Sequence, residues 1–148
     1  MDTKKLELLL ADDDEDDCLF FKQALSELPL ATSLTTVYDG EQLMQLLTKQ
    51  PISLPGVLFL DLNMPRKNGF ECLTEIKQNA TLHSLPVIIL STNFEQEMVN
   101  RLYRNGAHYC IRKPAEFARL KQLIKHALTL VTKTNGLPPT IDDFILKG

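Results

Sequence analysis

An aspartate at the end of an unbroken apolar run is the residue best placed to do chemistry in this chain. Asp61 closes the stretch Val57-Leu58-Phe59-Leu60-Asp61 and is followed by Leu62-Asn63-Met64-Pro65 and a loop containing Gly69. A central strand of a parallel sheet is buried on both faces and reads as continuous hydrophobics, and ligands bind beyond the carboxyl ends of such strands. A carboxylate at that edge avoids the cost of a charge buried in the core. Two more acids, Asp12 and Asp13, follow the short apolar run Leu6 to Ala11. Ser91 follows Pro86-Val87-Ile88-Ile89-Leu90, and Lys113 follows His108 to Ile111 by two residues. Singly, a serine after a strand caps a turn and a lysine is a solvated surface group. Together they assemble acids, nucleophile, hydroxyl and ammonium, the groups that phosphoryl transfer uses for alignment and charge neutralisation.

Clustered carboxylates repel one another and raise one another's pKa values unless a cation is present. Magnesium is the natural candidate, a hard ion taking carboxylate, carbonyl and water oxygens while bridging to phosphate. No softer-metal ligand set competes: His83, His108 and His126 are scattered and read as surface or loop residues. Cys18, Cys72 and Cys110 are isolated, without CxxC spacing, and read as buried free thiols rather than disulfide or zinc partners. Asp14 to Asp17 continue the acidic run and suit an ordinary solvated helix amino terminus, favoured by capping and by the macrodipole.

The elements that must position these residues alternate. Strand signals cover Leu6 to Ala11, Leu34 to Val37, Val57 to Leu60, Pro86 to Leu90 and His108 to Ile111. Helical periodicity covers Asp14 to Leu28, a segment marked by Leu43, Leu46 and Leu47 that closes near Gln50-Pro51, Gly69 to Asn79, Phe94 to Asn105, and Ala115 to about Thr132. Five βα units imply an α/β fold, a doubly wound parallel sheet with right-handed crossovers and helices on both faces. The flavodoxin-like (βα)5 order 2-1-3-4-5 is one common solution, and it would bring the end of the first strand beside that of the third. Asp12, Asp13 and Asp61 would then meet at one crevice.

Composition narrows the function classes. The chain has 148 residues, 44% of them hydrophobic, which suits one globular domain. A net charge of -3 supplies no basic stripe for phosphate backbones, so direct nucleic-acid binding is not expected. The start, Met1 to Lys5, leads into only six apolar residues broken by Glu7, too few for a signal peptide core or a membrane span. A cytoplasmic location is expected.

The acidic pair Asp12-Asp13, Asp61 within Asp61-Leu62-Asn63-Met64-Pro65-Arg66-Lys67-Asn68-Gly69, Ser91 and Lys113-Pro114 resemble the receiver domains of two-component response regulators. The resemblance covers roughly residues 5 to 132. It is similar to stand-alone receivers, both the chemotaxis type and those paired with bacteriophytochrome-like histidine kinases. It implies a receiver domain over 1–132, a tail over 133–148, and no output domain. It implies that Asp61 accepts a phosphoryl group from a sensor histidine kinase or a histidine phosphotransfer protein and that Lys113 and Ser91 contact that group. Magnesium would be held by Asp13, Asp61 and the backbone carbonyl of Asn63, with Asp12 acting through water. Asn63 and Asn93 occupy positions that tune acyl-phosphate hydrolysis in the family, and the output would be switched binding of a downstream protein. The fourth-helix surface around Gln96, Arg101 and Tyr103 is where that switch is to be sought.

Two features stand apart. The position three before the lysine, often Tyr or Phe in the family, is Cys110; Tyr109 beside it must point to the opposite face. The tail from Lys133 to Gly148 is broken at Gly136-Leu137-Pro138-Pro139 and returns Ile141, Phe144 and Ile145. It reads as an extended linker with a sticky end, as a disordered terminus, or as a segment packing on the fourth helix, fifth strand and fifth helix of its own or a second subunit in a homodimer. Two other function classes can be weighed. An aspartyl phosphohydrolase needs a second Asp two residues after the first, where this chain has Asn63. An inactive, interaction-only relative would have no need of the complete set of acids, hydroxyl and lysine.

Overall fold

The computed structural model describes residues 5–49, 54–133 and 139–146. Five strands alternate with five helices: β1 (Leu6–Ala11), α1 (Glu15–Ser26), β2 (Thr32–Val37), α2 (Gly40–Thr48), β3 (Val57–Asp61), α3 (Gly69–Gln78), β4 (Val87–Ser91), α4 (Gln96–Arg104), β5 (Tyr109–Arg112) and α5 (Phe117–Lys133). All strands are parallel in the order β2-β1-β3-β4-β5, the flavodoxin-like arrangement. Ala11 lies opposite Leu60, Asp61 opposite Leu90, and Ser91 opposite Arg112, so the polar residues that end each strand share one edge.

The period-two alternation of strands divides the core into two layers. Leu9, Leu58, Leu60 and Ile89 point toward α2, α3 and α4, where they pack with Leu43, Leu73 and Leu102. Leu8, Leu10, Phe59 and Ile88 point the other way, onto Phe21 of α1 and Leu123 and Ile124 of α5. Each such side chain contributes about 1.5–3 kcal/mol through burial, which makes the sheet a rigid base for its edge. Cys110 lies in the first layer and Tyr109 in the second. All three cysteines are free and buried.

Helix starts are fixed by side chains from the site edge. Asp14 caps α1 by accepting from the Asp17 N–H at 3.1 Å, and Asp39 caps α2 from Gln42 at 2.8 Å. Asn68 and Glu71 form a reciprocal capping box on α3. Gly69 begins α3 directly against β3: a Cβ there would sit 2.2 Å from the Asp61 carbonyl oxygen, so only glycine allows this approach. Arg66, in the loop between them, has φ 68 and ion-pairs with Asp39 and Glu41.

Some expectations change. β2 begins at Thr32, two residues early, because it is an edge strand whose polar Thr32 and Ser33 need no buried partner. His108 is buried rather than at the surface, its ring Nδ1 accepting from the Val87 N–H at 3.3 Å; His83 and His126 are exposed. The tail is ordered over 139–146. A single 3-10 turn, Ile141–Asp143, delivers Phe144 and Leu146 into the core, and Ile145 forms a parallel bridge with Cys110. The Cys110 N–H donates to the Phe144 carbonyl and the Leu146 N–H to the Cys110 carbonyl, both at 2.9 Å. The tail thus packs on β5 of its own chain. The helix-breaking run Gly136-Leu137-Pro138, the stretch Gln50-Pro51 at which the second helix was expected to close, and the start Met1 to Lys4 lie outside the described residues.

Candidate functional site

The ends of β1, β3, β4 and β5 bring together the groups predicted to act. Asp12, Asp13 and Asp61 offer carboxylate oxygens that all lie within 4.8 Å of one another. Asp12 and Asp61 are buried, while Asp13 faces solvent. Three acids at this spacing, two of them desolvated, suit a hard divalent cation. Asn63 is exposed at the same mouth, and its backbone N–H hydrogen-bonds the Asp61 carboxyl.

Lys113 is the counter-charge. Its Nζ donates to Asp12 Oδ2 at 2.8 Å and to Asp17 Oδ2 at 2.9 Å, and stands 3.6 Å from Asp61 Oδ1. Asp12 uses its other oxygen to accept from the Asp14 N–H at 3.0 Å. Asp17 was expected to be a solvated helix-start residue; the structure corrects this, because its carboxylate reaches across to a lysine 96 positions away. No local pattern carries that signal, since it depends on how α1 and β5 are brought side by side. Asp14 does behave as a cap.

Electrostatics follow from this crowding. Burial pushes the Asp61 carboxyl up to about 7, the Asp12 charge adds to the rise, and Lys113 and the Asn63 N–H act against it. Burial opposes the charge on Lys113, but the hydrogen bonds to Asp12 and Asp17 and the charge of Asp61 outweigh it and hold the ammonium above its ordinary range. Cys18, whose Sγ donates to the Asp12 carbonyl at 3.4 Å, is pushed up to about 12 by burial and by the surrounding acids, so it is an inert thiol.

Ser91 is buried, with its hydroxyl turned to the Asn93 carbonyl at 3.0 Å. The Lys113 N–H donates to the Ser91 carbonyl at 2.8 Å, locking the two strand ends together. Asn63, Phe70, Ser91 and Asn93 line an open cleft beside Asp61. On α4, Arg101 stacks over the Phe70 ring at 4.4 Å. Tyr103 is committed to the tail, donating to the Pro139 carbonyl at 2.8 Å and meeting the Phe144 ring edge-on at 5.3 Å.

Comparison with known proteins agrees with this arrangement. The sequence profile of the response regulator receiver domain matches residues 8–125. The response regulator Rcp1 of Synechocystis is 28% identical over 135 residues, covering 88% of this chain and 92% of that protein. The probable chemotaxis protein CheY of Rhizobium etli is 30% identical over 122 residues, 82% of this chain and 92% of that one. Among solved structures, the phosphorylated cyanobacterial phytochrome response regulator RcpA superposes with a TM-score of 0.80 at 30% identity, covering 88% of this chain and 96% of that one. The Mn(2+)-bound form of Rcp1 superposes with a TM-score of 0.77 at 28% identity, covering 90% and 99%. With its five-stranded order and its acidic edge, this chain belongs to the response regulator receiver domains of two-component signalling.

Proposed function

We propose that Asp61 is the phosphoacceptor of this receiver and that Mg2+ is held by Asp13, Asp61 and the Asn63 backbone carbonyl, with Asp12 acting through water. The observation that carries the reading is the convergence of Asp12, Asp13 and Asp61 within 4.8 Å, with Lys113 as a shared cation. A bound dication neutralises charge on the acids and on the incoming phosphoryl oxygens. An Asp61 oxygen attacks phosphorus in line, an O–P bond forms, and the N–P bond to the donor histidine breaks, its electron pair returning to the imidazole. The Lys113 ammonium takes up a phosphoryl oxygen. The Ser91 hydroxyl leaves the Asn93 carbonyl to donate to another, and Lys113 and Ser91 together favour the phosphorylated state. Asn63 cannot protonate a leaving group as a carboxylic acid would, which argues against a phosphohydrolase.

The donor is a sensor histidine kinase or a histidine phosphotransfer protein in the cytoplasm. The output is altered affinity for a downstream protein, with self-catalysed loss of the phosphoryl group. Among the described residues no helix is long and apolar enough to cross a membrane. A homodimer through α4, β5, α5 and the tail is part of the proposal; truncation after Thr134 lowers the mass in solution, and an unchanged mass removes that part. The central reading is tested by intact mass after incubation with a small-molecule phosphodonor. One phosphoryl adduct on the wild type, absent without Mg2+ and absent in Asp61→Asn, supports it. An adduct on the variant, or none on a magnesium-binding wild type, overturns it.

A further inference from the structure

We infer that Asp17 is a positioning residue that parks the Lys113 ammonium on the α1 side of the site and so keeps the cation pocket open; the inference rests on the phosphoacceptor reading above. Asp17 is the third residue of α1, the position from which an acidic side chain ordinarily reaches back to the backbone N–H of the cap. α3 shows that arrangement: Glu71 accepts from the Asn68 N–H at 3.1 Å. In α1 the equivalent Asp14 N–H is already taken, at 3.0 Å, by Asp12 Oδ1. The Asp17 carboxylate is therefore released from its own helix and turns to Lys113 at 2.9 Å.

The position of the ammonium matters because it and a dication seek the same oxygens. Lys113 lies 2.8 Å from Asp12 but 3.6 Å from Asp61. Among the described residues Asp17 is the one carboxylate on Lys113 that is not a member of the three-acid cluster, and its side chain remains 43% exposed. It holds the lysine from outside the pocket. Without it, the carboxylates left to the ammonium among the described residues are Asp12 and Asp61, and it moves onto the one that the cation and the phosphoryl group both need. When a phosphoryl oxygen arrives, Lys113 exchanges the exposed Asp17 for it, which costs less than giving up a buried partner.

The test is Mg2+ affinity by calorimetry for the wild type, Asp17→Asn, Asp16→Asn, Lys113→Met and the Lys113→Met combinations with each Asp variant. Asp16 stands in the same turn, exposed, so its variant removes an equal charge and serves as the control for long-range attraction. Asp17→Asn is expected to weaken Mg2+ binding about five-fold more than Asp16→Asn does. In the Lys113→Met background that gap closes, as a double-mutant cycle requires when one side chain acts through the other. Asp17→Ala is the second removal of the carboxylate, and circular dichroism checks each fold. Equal effects of the two Asp variants, tighter binding by Asp17→Asn, or a gap that survives without Lys113 would overturn the inference alone. A wild type that binds no Mg2+ would overturn the phosphoacceptor reading first, and this one with it.

Discussion

Without divalent cations, replacing Asp61 by asparagine stabilises the folded chain, and more at pH 8 than at pH 5. The folded Asp61 carboxyl releases its proton near pH 7 rather than near 3.8. Between those values the folded state holds a proton that the unfolded chain has lost, so wild-type stability falls as pH rises and levels off above about pH 7. Each ten-fold displacement of a protonation equilibrium is worth about 1.4 kcal/mol, which bounds the cost of the charged form at roughly 4 kcal/mol. Asp12 and Lys113 share the charge with Asp61 and rearrange around it, so about half, roughly 2 kcal/mol, is expected to be recovered. At pH 5 the same relation leaves only about 1 kcal/mol to recover. For a chain of this size 2 kcal/mol is a rise in Tm of about 4–8 °C. The assay is thermal unfolding by circular dichroism in a chelating buffer at the two pH values, repeated with Mg2+. The cation binds the folded wild type and erases the gain. A variant no more stable than the wild type at pH 8, or one whose gain does not change with pH, would refute the claim that Asp61 is a destabilised carboxylate awaiting a cation.

Other outcomes follow from packing. Gly69→Ala places a methyl group 2.2 Å from the Asp61 carbonyl and should cost about 2 kcal/mol or more in urea titration; a loss under about 0.5 kcal/mol would show that α3 does not start against β3 as described. Phe144→Ala removes a fully buried ring that meets Tyr103 edge-on and should cost about 3 kcal/mol, and an unchanged midpoint would mean that the tail adds nothing to the core. Cys110→Tyr inserts a ring where the tail now packs, so the Leu146 amide, which donates to the Cys110 carbonyl, should exchange rapidly with solvent. Continued protection of Leu146 would show that both fit. The same variant restores the aromatic residue that the family often carries three positions before the lysine, and an unaltered phosphorylation-induced change in partner affinity would mean that Cys110 does not weaken the response.

How much was legible in the chain depended on the range of the interaction. β3 and β4, interior strands covered on both faces, are buried at every position, β1 and β5 are buried over most of their length, and the polar residues at or just beyond their ends, Asp12, Asp61, Ser91 and Lys113, thereby mark the functional edge. β2 is half-legible because an edge strand keeps polar residues on its open face. Phe94 belongs by hydropathy to the fourth helix, yet it is buried in the loop before α4 and so overstated the helix. Asp17 and His108 were misplaced because each is fixed by a partner from another element, Lys113 and Val87. In the tail, Phe144 and Ile145 signalled burial, but their pairing with Cys110 is a backbone event that side-chain pattern does not encode.

The docked tail also alters the character of the helix before it. Because Ile145 makes a parallel bridge to Cys110, α5 lies between β5 and a tail segment docked on that same strand rather than simply trailing from it. Terminal helices usually open first, their final turn exchanging amide protons at almost no free-energy cost. Here the chain on both sides of α5 is fastened, by Lys113 to the Ser91 carbonyl at one end and by Leu146 to Cys110 at the other. The last turn of α5 is therefore expected to be protected beyond a free helix end, and its amide protection tests whether the seated tail restrains it.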